Sequence, residues 1–350
     1  MDQSQLPPAF SGPSAWTGRE MRDRTDWIVT LTEAQVGEVE VAAQRFLSTG
    51  GDPGEIRAED FPLPQLSRHL ARLLDTLLHG RGFEVIRGLP VAGYDQRLAV
   101  TIFCGIGAHL GKARSQNAQG HVLGHVRDLG ASPDDPNSRI YQTRARQTFH
   151  TDSADVVGLL CLREAREGGD SLLVSAEAIY NRMLEERPDL LALLFGPIAT
   201  DRRGEVPEGM KPYTEIPPLS WHEGHLTVYY QRQYIDSASR FPDAMRLTPE
   251  HVEALDMFDR LANDPDLHLA MRLRPGDMQF VYNHGQLHDR TGFLDWPDPE
   301  RRRHLLRLWL SVPGDRPLPP VFAQRYGSIT IGDRGGIVTP ETRLNAPVDV

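Results

Sequence analysis

The sequence predicts a mainly β protein with flanking helices, in which the β part forms an antiparallel sandwich or barrel. Two patterns support this class. Up to about residue 110 the apolar residues recur at helical spacing, whereas from about residue 111 short apolar runs alternate with Gly, Pro, Asp and Asn. A chain of 350 residues that is 39% hydrophobic and 25% charged is able to bury a core of this size.

The same patterns divide the chain into three parts. Residues 1–26 are rich in Pro, Gly, Ser and charge, and are predicted to form an extended arm that two tryptophans pin to the body. Residues 27–328 form a single domain, with a helical flank followed by a β core at about 111–315. Residues 329–350 form a tail that again carries Gly and Pro.

Helices are predicted first in the flank. Thr32 begins a capping box, and apolar residues follow at helical spacing until Gly50. A leucine stripe predicts a second helix at about 64–79, and a third is expected at 95–110. Two more interrupt the β core. One runs from 176 to about 195 and passes over Pro188, and the other has Thr248 as its cap and Pro249 at its first helical position.

The predicted strands are short apolar runs bounded by turn residues. The segment 202–224 holds several Pro and Gly residues and is predicted to be a lid beside the site. The strands are expected at 83–86, 140–149, 156–162, 171–174, 226–230, 278–282 and 304–312.

The composition excludes several classes of function. The formal net charge is −10, so binding to nucleic acid or to an anionic membrane is not expected. No stretch approaches the roughly 18 apolar residues of a membrane span, and the start does not resemble a signal peptide. Two cysteines, Cys104 and Cys161, indicate a reducing compartment, so we predict a cytoplasmic protein. Because Lys112 and Lys211 are the only lysines, arginine is nearly the sole cation available for binding anions.

A metal site is predicted around His150 and Asp152. In an extended segment the side chains of residues two apart point to the same side, so this pair offers two adjacent ligands to one divalent cation. His288 supplies a third ligand from far along the chain, and His284 competes with it because both lie on the same alternation. Two histidines and one carboxylate form the ligand set of non-haem Fe(II) oxygenases, which leaves about half of an octahedron open.

Other residue pairs with similar spacing are predicted to be polar surface or loop residues. His251 and Glu253 lie in the predicted helix after Pro249, where side chains two apart point about 200° away from each other. His222 and His225 have a spacing of three rather than four and are surrounded by Pro and Gly. His121 and His125 are flanked by glycines.

An ordered set of motifs resembles the Fe(II)/2-oxoglutarate-dependent dioxygenases of the taurine dioxygenase and clavaminate synthase-like (TauD/TfdA-like) family. Their order and spacing match from about residue 80 to residue 312. The motifs are His150-Thr151-Asp152, the later His288, the arginine-rich run 301–307, Gly82-Phe83-Glu84-Val85-Ile86-Arg87-Gly88, Gly168-Gly169-Asp170-Ser171 and Leu273-Arg274-Pro275-Gly276-Asp277.

The resemblance implies a double-stranded β-helix, the cupin-like jelly-roll, as the core. It implies that the catalytic iron is held by His150, Asp152 and His288. It implies that Ser171, where the family usually has Thr, donates a hydrogen bond to 2-oxoglutarate, and that Arg303 clamps the distal carboxylate of this cosubstrate. Arg307 falls where relatives hold an anionic group of the primary substrate, a place that some relatives share with the cosubstrate. The two roles of Arg303 and Arg307 can therefore be exchanged.

The function that follows is oxidation of a small molecule with Fe(II), 2-oxoglutarate and O₂, releasing succinate and CO₂. Hydroxylation of an unactivated C–H bond is favoured, because halogenating relatives replace the carboxylate ligand that Asp152 provides here. Desaturation, cyclisation or epimerisation with the same ligands remain alternatives, as does a metal-binding jelly-roll protein that is not an oxygenase.

The substrate is predicted to be small, carboxylated or amino-acid-like, and anionic or zwitterionic. A homo-oligomer is compatible with the sequence. Candidate substrate-binding residues are polar or aromatic and lie in or beside the predicted core strands: Gln116, Asn117, Tyr141, Gln142, Gln147 and Arg307.

Overall fold

The computed structural model describes residues 3–130, 140–207, 209–337 and 342–348. Within these residues the helices are α1 (Gly18–Met21), α2 (Glu33–Ser48), α3 (Ser67–His79), α4 (Gln96–Ala108), α5 (Ala176–Glu186), α6 (Pro188–Leu193), α7 (Arg232–Ser237), α8 (Pro249–Ala262) and α9 (Ala323–Tyr326). The strands are β1 (Ile28–Thr30), β2 (Phe83–Arg87), β3 (Lys112–Ala113), β4 (Leu123–Val126), β5 (Gln147–His150), β6 (Val156–Arg163), β7 (Glu167–Gly168), β8 (Ser171–Ser175), β9 (Ile198–Asp201), β10 (Tyr213–Ile216), β11 (Leu219–His222), β12 (His225–Val228), β13 (His268–Met271), β14 (Met278–Tyr282), β15 (Gln286–Arg290), β16 (Phe293–Leu294) and β17 (His304–Ser311).

Two sheets form the jelly-roll core. The larger has seven strands in the order β1-β2-β14-β6-β17-β3, with β4 also paired to β17, and the smaller has the order β13-β8-β15-β5. Every pairing within these sheets is antiparallel except that of β1 with β2. One apolar cluster contains Val281 and Leu305 of the larger sheet together with Leu173 and Leu269 of the smaller one, so the two sheets pack face to face. The predicted fold class is confirmed.

Helices cover the outer faces of both sheets. On the larger sheet, α2, α3 and α4 bury their apolar residues against residues such as Ile86 and Leu308. On the smaller sheet, α5, α6 and α8 pack against residues such as Val174 and Leu287. The polar residues of the site lie in the space between the two sheets, at the end where β5 and β15 meet.

Two predicted elements differ from the structure. The single helix expected from 176 to about 195 is wrong, because Arg187 adopts φ −148° and ψ 70° and Pro188 begins a new helix. Proline disfavours helical geometry in the residue before it and is well suited to a first helical position. The strand expected at 140–149 is limited to Gln147–His150, and a short 3₁₀ turn, Ile140–Gln142, precedes it.

The terminal segments pack against the body. The indole rings of Trp16 and Trp27 are buried, and the backbone N–H of Phe10 donates to Asn181 Oδ1 at 2.7 Å. In the predicted tail, Arg334 is fully buried, although residues 338–341 and 349–350 of that tail lie outside the described ranges. None of the helices in the described ranges combines the length and apolarity that crossing a bilayer requires.

Candidate metal centre

His150, Asp152 and His288 come together because their strands are neighbours. His150 ends β5 and pairs directly with His288 of β15, and Asp152 follows in the loop. One ligand atom from each residue lies within 4.8 Å of the other two. The Nε2 atom of His288 is 3.6 Å from Asp152 Oδ2, and the two imidazole rings have centroids 4.2 Å apart. The three groups are close enough to share one cation.

The His150 side chain is arranged to present one nitrogen. Its Nδ1 lies 2.8 Å from the Thr148 carbonyl oxygen, so Nδ1 carries the proton and donates it. The other nitrogen, Nε2, is then an acceptor, and the Gln147 amide is 2.9 Å from it. Burial first, and then the neighbouring His288, lower the pKa of His150 to about 3. A neutral imidazole with a fixed tautomer is the form that binds metals.

Asp152 is ionised and its carboxylate is surrounded by donors. Its Oδ2 accepts from Trp309 Nε1 at 2.9 Å and from Arg307 Nη1 at 3.3 Å. Burial alone raises the pKa of this carboxyl, but the positive charge of Arg307 and the contacts with both histidines outweigh it and hold the pKa well below its usual range. The donor set is therefore two imidazoles and one carboxylate, which fits Fe(II).

A buried asparagine fixes the loop that carries Asp152. Asn283 Oδ1 accepts from the Asp152 backbone N–H at 2.8 Å. The Nδ2 of the same amide donates to the carbonyl oxygens of Asp152 at 2.6 Å and Ala154 at 2.8 Å. Asn283 precedes β15, so one amide side chain couples the two segments that supply Asp152 and His288.

Two cavities meet at the three candidate metal ligands. One, which we call the inner cavity, has about 490 Å³ of space, part of it open to solvent, and is lined by Ser171, His288, Arg290 and Arg303, among others. The other, which we call the outer cavity, has about 660 Å³ of space, also partly open to solvent, and includes Asp152 in its lining. Both cavities are lined by Tyr141, Gln147, His150 and Arg307. A cosubstrate and a substrate are thus able to approach the same centre from two sides.

Arg303 is a buried cation in the inner cavity. It is 5% exposed, and burial lowers its pKa to about 10. Among the described residues its Nη1 has no hydrogen-bond partner, and Nη2 makes a long contact of 3.4 Å with the Gly169 carbonyl oxygen. Gly169 has φ +76°, and a Cβ at this position would lie 2.9 Å from Arg303 Nε. The absence of a side chain at Gly169 therefore leaves room for the Arg303 guanidinium, and its Nη1 is available to bind an anion.

Ser171 and Arg290 complete the polar lining of the inner cavity. Ser171 Oγ donates to Gln279 Oε1 at 3.0 Å, and Ser171 pairs with Arg290 across the sheet. Arg290 Nη1 donates to the Thr143 carbonyl oxygen at 2.9 Å, while its Nε is buried without a partner in the described part of the chain. Burial, followed by the charge of Arg303, lowers the pKa of Arg290 to about 9. Sequence reasoning missed Arg290, although it lies two residues after His288 on the same strand.

Arg307 lies between the two cavities and is held in place. Its guanidinium carbon is 4.8 Å from the centroid of the Tyr141 ring and 5.0 Å from that of Trp309. Its Nε donates to Gln116 Oε1 at 2.9 Å. Unlike Arg303, it already contacts a carboxylate, that of Asp152. Trp309 was also missed as a partner of Asp152, and its place on the same strand face as Arg307 was the available signal.

The predicted substrate-binding residues divide into two groups. Tyr141 and Gln147 line both cavities. Gln116, Asn117 and Gln142 are not part of either lining. Gln116 Nε2 donates to the carbonyl oxygens of Val122 and Arg307, and Asn117 contacts His121, so these side chains are engaged in local structure. The Gln142 carbonyl oxygen accepts from the backbone N–H of Leu129 at 2.9 Å. Gln116 contributes by supporting Arg307.

His284 lies outside the metal centre. Residues 283–285 form the turn between β14 and β15, so the alternation that relates His284 to His288 is interrupted there. His284 Nε2 is 2.9 Å from Asp155 Oδ1 in a second, buried group that also contains Asp315. Arg334 bridges the two carboxylates, each at 2.7 Å, and supplies the positive charge that a metal ion would otherwise provide.

The other histidine pairs have local roles. His251 closes a capping box with Thr248 at the start of α8, and His222 and His225 flank the turn of the β11–β12 hairpin. The expectation of a polar surface or loop position is wrong for His125, which is buried in β4 with its Nδ1 2.8 Å from His304 Nε2. The segment predicted as a lid, 202–224, lines the outer cavity through its first residues, Arg202, Arg203 and Glu205, and continues as β10 and β11.

Comparison with known proteins places this chain among iron oxygenases. The profile of the family described as "Taurine catabolism dioxygenase TauD, TfdA family" matches residues 48–309. The FR-33289 synthase of Streptomyces rubellomurinus is 33% identical over 332 residues, which cover 92% of this chain and 96% of that one. A uridine-5′-phosphate dioxygenase of Amycolatopsis sp. is 30% identical over 198 residues, covering 53% and 68%.

A solved structure shares the fold. It is that of an asparagine oxygenase in complex with Fe(II), (2S,3S)-3-hydroxyasparagine and succinate. The TM-score is 0.64 at 20% identity, and the match covers 81% of this chain and 93% of that one.

Proposed function

Because the chain belongs to the TauD/TfdA dioxygenase family and is an Fe(II)- and 2-oxoglutarate-dependent oxygenase, we propose that His150, Asp152 and His288 hold its iron. The observation that carries this assignment is the convergence of the three side chains where two cavities meet. When bound, Fe(II) supplies, together with 2-oxoglutarate and O₂, the oxidising power for C–H chemistry, with succinate and CO₂ as co-products. The protein side chains provide orientation and shield the site from water.

The inner cavity receives 2-oxoglutarate in this proposal. Arg303 binds the distal carboxylate, because a buried guanidinium without a carboxylate partner in the described chain is stabilised by an anion. Ser171 adds a hydroxyl at the same wall, which turns from Gln279 Oε1 to donate to the cosubstrate, and Arg290 adds positive charge. Arg307, which already contacts Asp152, steadies the metal carboxylate and faces the outer cavity.

The outer cavity receives the primary substrate. We infer a small anionic or zwitterionic molecule, because Arg202, Arg203, Arg307 and Arg325 all line this cavity. The uridine-5′-phosphate dioxygenase relative has an anionic substrate, and the asparagine oxygenase structure holds a hydroxylated amino acid. Hydroxylation is the expected outcome. Desaturation, cyclisation and epimerisation are the alternatives that the same residues permit.

Location and assembly are also proposals. Cys104 and Cys161 are both buried and unpaired, which agrees with a reducing, cytoplasmic compartment. A homo-oligomer is tested by light scattering of the purified protein, where a single mass equal to one chain would exclude it.

An anaerobic titration tests the assignment of the centre. Adding Fe(II) and then 2-oxoglutarate to the protein is expected to produce a weak visible charge-transfer band. The Asp152→Ala variant is expected to lose both the band and substrate-dependent succinate formation. The control is the Glu253→Ala variant, which removes a surface carboxylate on α8. It is expected to keep both the charge-transfer band and succinate formation. A full band in Asp152→Ala would contradict the ligand assignment.

A further inference from the structure

Two arginines in the outer cavity have only neutral hydrogen-bond partners among the described residues. Arg202 is 4% exposed; its Nε donates to the Lys211 carbonyl oxygen at 3.0 Å and its Nη2 to that of Gln324. Arg325 Nε donates to Ser153 Oγ at 2.7 Å. Within the described ranges neither guanidinium contacts a carboxylate. Some N–H donors of each guanidinium have acceptors, but no carboxylate of the described residues compensates the positive charges.

The two guanidinium groups are neighbours and repel each other. Burial lowers the pKa of Arg202, and the charge of Arg325 is the next cause of that shift. They reach the cavity from different parts of the chain, Arg202 from the turn after β9 and Arg325 from α9. Two neighbouring positive charges without an acid in contact destabilise each other. A bound anion reduces this repulsion.

The other charges of the cavity are already engaged. Asp201 is paired with Arg240 Nε at 2.9 Å and accepts from Ser237 Oγ. Asp152 faces Arg307 and belongs to the metal centre. The Arg203 guanidinium lies over the Tyr234 ring at 5.2 Å, and Glu205 follows it on the same turn. Arg202 and Arg325 therefore contribute two positive charges that neither Asp201 nor Asp152 cancels.

Two guanidinium groups that come from different elements suit an anion with more than two oxygens. A planar carboxylate is matched in two contacts by one guanidinium fork, whereas a tetrahedral oxyanion has three oxygens and can engage forks that approach from two directions. Arg325 bonds the side chain of Ser153, which directly follows Asp152. An anion held between the two arginines consequently lies in the cavity that His150 and Asp152 also line.

We propose that Arg202 and Arg325 form a binding site for a doubly charged tetrahedral oxyanion of the primary substrate, a phosphate monoester or a phosphonate. The proposal rests on the function proposed above and names the substrate class of the same site. The carbon that is oxidised belongs to the organic part attached to this group.

Anion binding to the loaded protein tests the proposal. Under anaerobic conditions, the protein with Fe(II) and saturating 2-oxoglutarate is titrated with methylphosphonate, methanesulfonate or acetate, above the second ionisation of the phosphonate. Binding is followed by calorimetry. Methylphosphonate is expected to bind at least about tenfold more tightly than the two singly charged anions. Equal affinities for the three anions, or preference for acetate, would overturn the proposal.

Variants separate this site from the metal centre. Arg325→Gln and Arg202→Gln are each expected to weaken methylphosphonate binding about tenfold or more while the charge-transfer band persists. Arg302→Gln, an exposed arginine on the arginine-rich run, is the control and is expected to bind as the wild type does. Because Arg202 also holds two backbone carbonyls, Arg325→Gln is the decisive variant, and unchanged binding in it would refute the site.

The readouts keep the two proposals distinguishable. Loss of the charge-transfer band in the wild-type protein would contradict the proposed function, whereas a normal band without preferential phosphonate binding would contradict only the anion site. A screen of phosphate monoesters and phosphonates for substrate-dependent succinate formation then separates the two sources. Stimulation by carboxylates or sulfonates alone would overturn the assignment of the substrate class.

Discussion

Replacing Arg303 with alanine removes the cation that we assign to the distal carboxylate of 2-oxoglutarate. Arg303 is 5% exposed and its Nη1 is without a partner in the described chain, so the guanidinium is already desolvated before the cosubstrate arrives. Two unit charges about 4 Å apart attract by about 4 kcal/mol at an effective dielectric constant near 20. Removing one partner of such a pair costs about 2–5 kcal/mol.

The expected change is measurable as a dissociation constant. A loss of about 2–5 kcal/mol corresponds to roughly 30-fold weaker binding at the lower end and several thousand-fold at the upper end. The assay is the anaerobic titration of the Fe(II)-loaded variant with 2-oxoglutarate, followed by the charge-transfer band. Arg303→Lys is expected to fall between the wild type and the alanine variant, because it keeps the charge and loses the planar fork.

A matched control and a refuting result complete the test. Arg302→Ala removes an exposed arginine one residue away and is expected to leave the affinity for 2-oxoglutarate unchanged. If Arg303→Ala binds 2-oxoglutarate normally while Arg307→Ala does not, the roles of the two arginines must be exchanged. Because Arg307 also contacts Asp152, iron affinity has to be measured separately in that variant.

Three further outcomes are expected. Asn283→Ala frees the Asp152 loop and is expected to weaken Fe(II) binding about 10–100-fold in a chelator competition; unchanged affinity would contradict its positioning role. Arg334→Met leaves two buried carboxylates uncompensated and is expected to lower the free energy of unfolding by about 3–5 kcal/mol in urea denaturation, whereas Arg302→Met is expected to change it little. Burial raises the pKa of Cys161 to about 12 and that of Cys104 further, so both thiols are expected to resist a disulfide reagent at pH ~8 until the protein is denatured; rapid reaction of the native protein would refute this.

Local periodicity was sufficient to predict the longer helices, several of the core strands and the first two residues of the candidate metal centre. The alternation of side chains in an extended segment brings His150 and Asp152 together, and the structure places both beside His288. The choice between His284 and His288 depended on where a turn interrupts the strand, which alternation alone does not define. At Pro188, the local preference of proline for a first helical position prevailed over a continuous apolar pattern.

The rest of the site depends on contacts between distant segments. Arg202 and Arg325 become neighbours only because the turn after β9 and helix α9 pack around one cavity. Arg334 lies in a stretch whose Gly and Pro content resembles a loose tail, yet its guanidinium bridges two buried carboxylates. Because these residues are far apart in the sequence, no spacing pattern predicts their contacts, which depend on how the whole chain packs.

The segment that carries Arg325 and Arg334 has a consequence for synthesis of the protein. Arg334 reaches back to Asp155 across 179 positions, and the Gly336 N–H donates to the Ser153 carbonyl oxygen at 2.7 Å. A ribosome has therefore translated both histidines and the aspartate well before it adds the residues that brace their loop. The nascent polypeptide therefore carries the proposed iron ligands before their final support is in place.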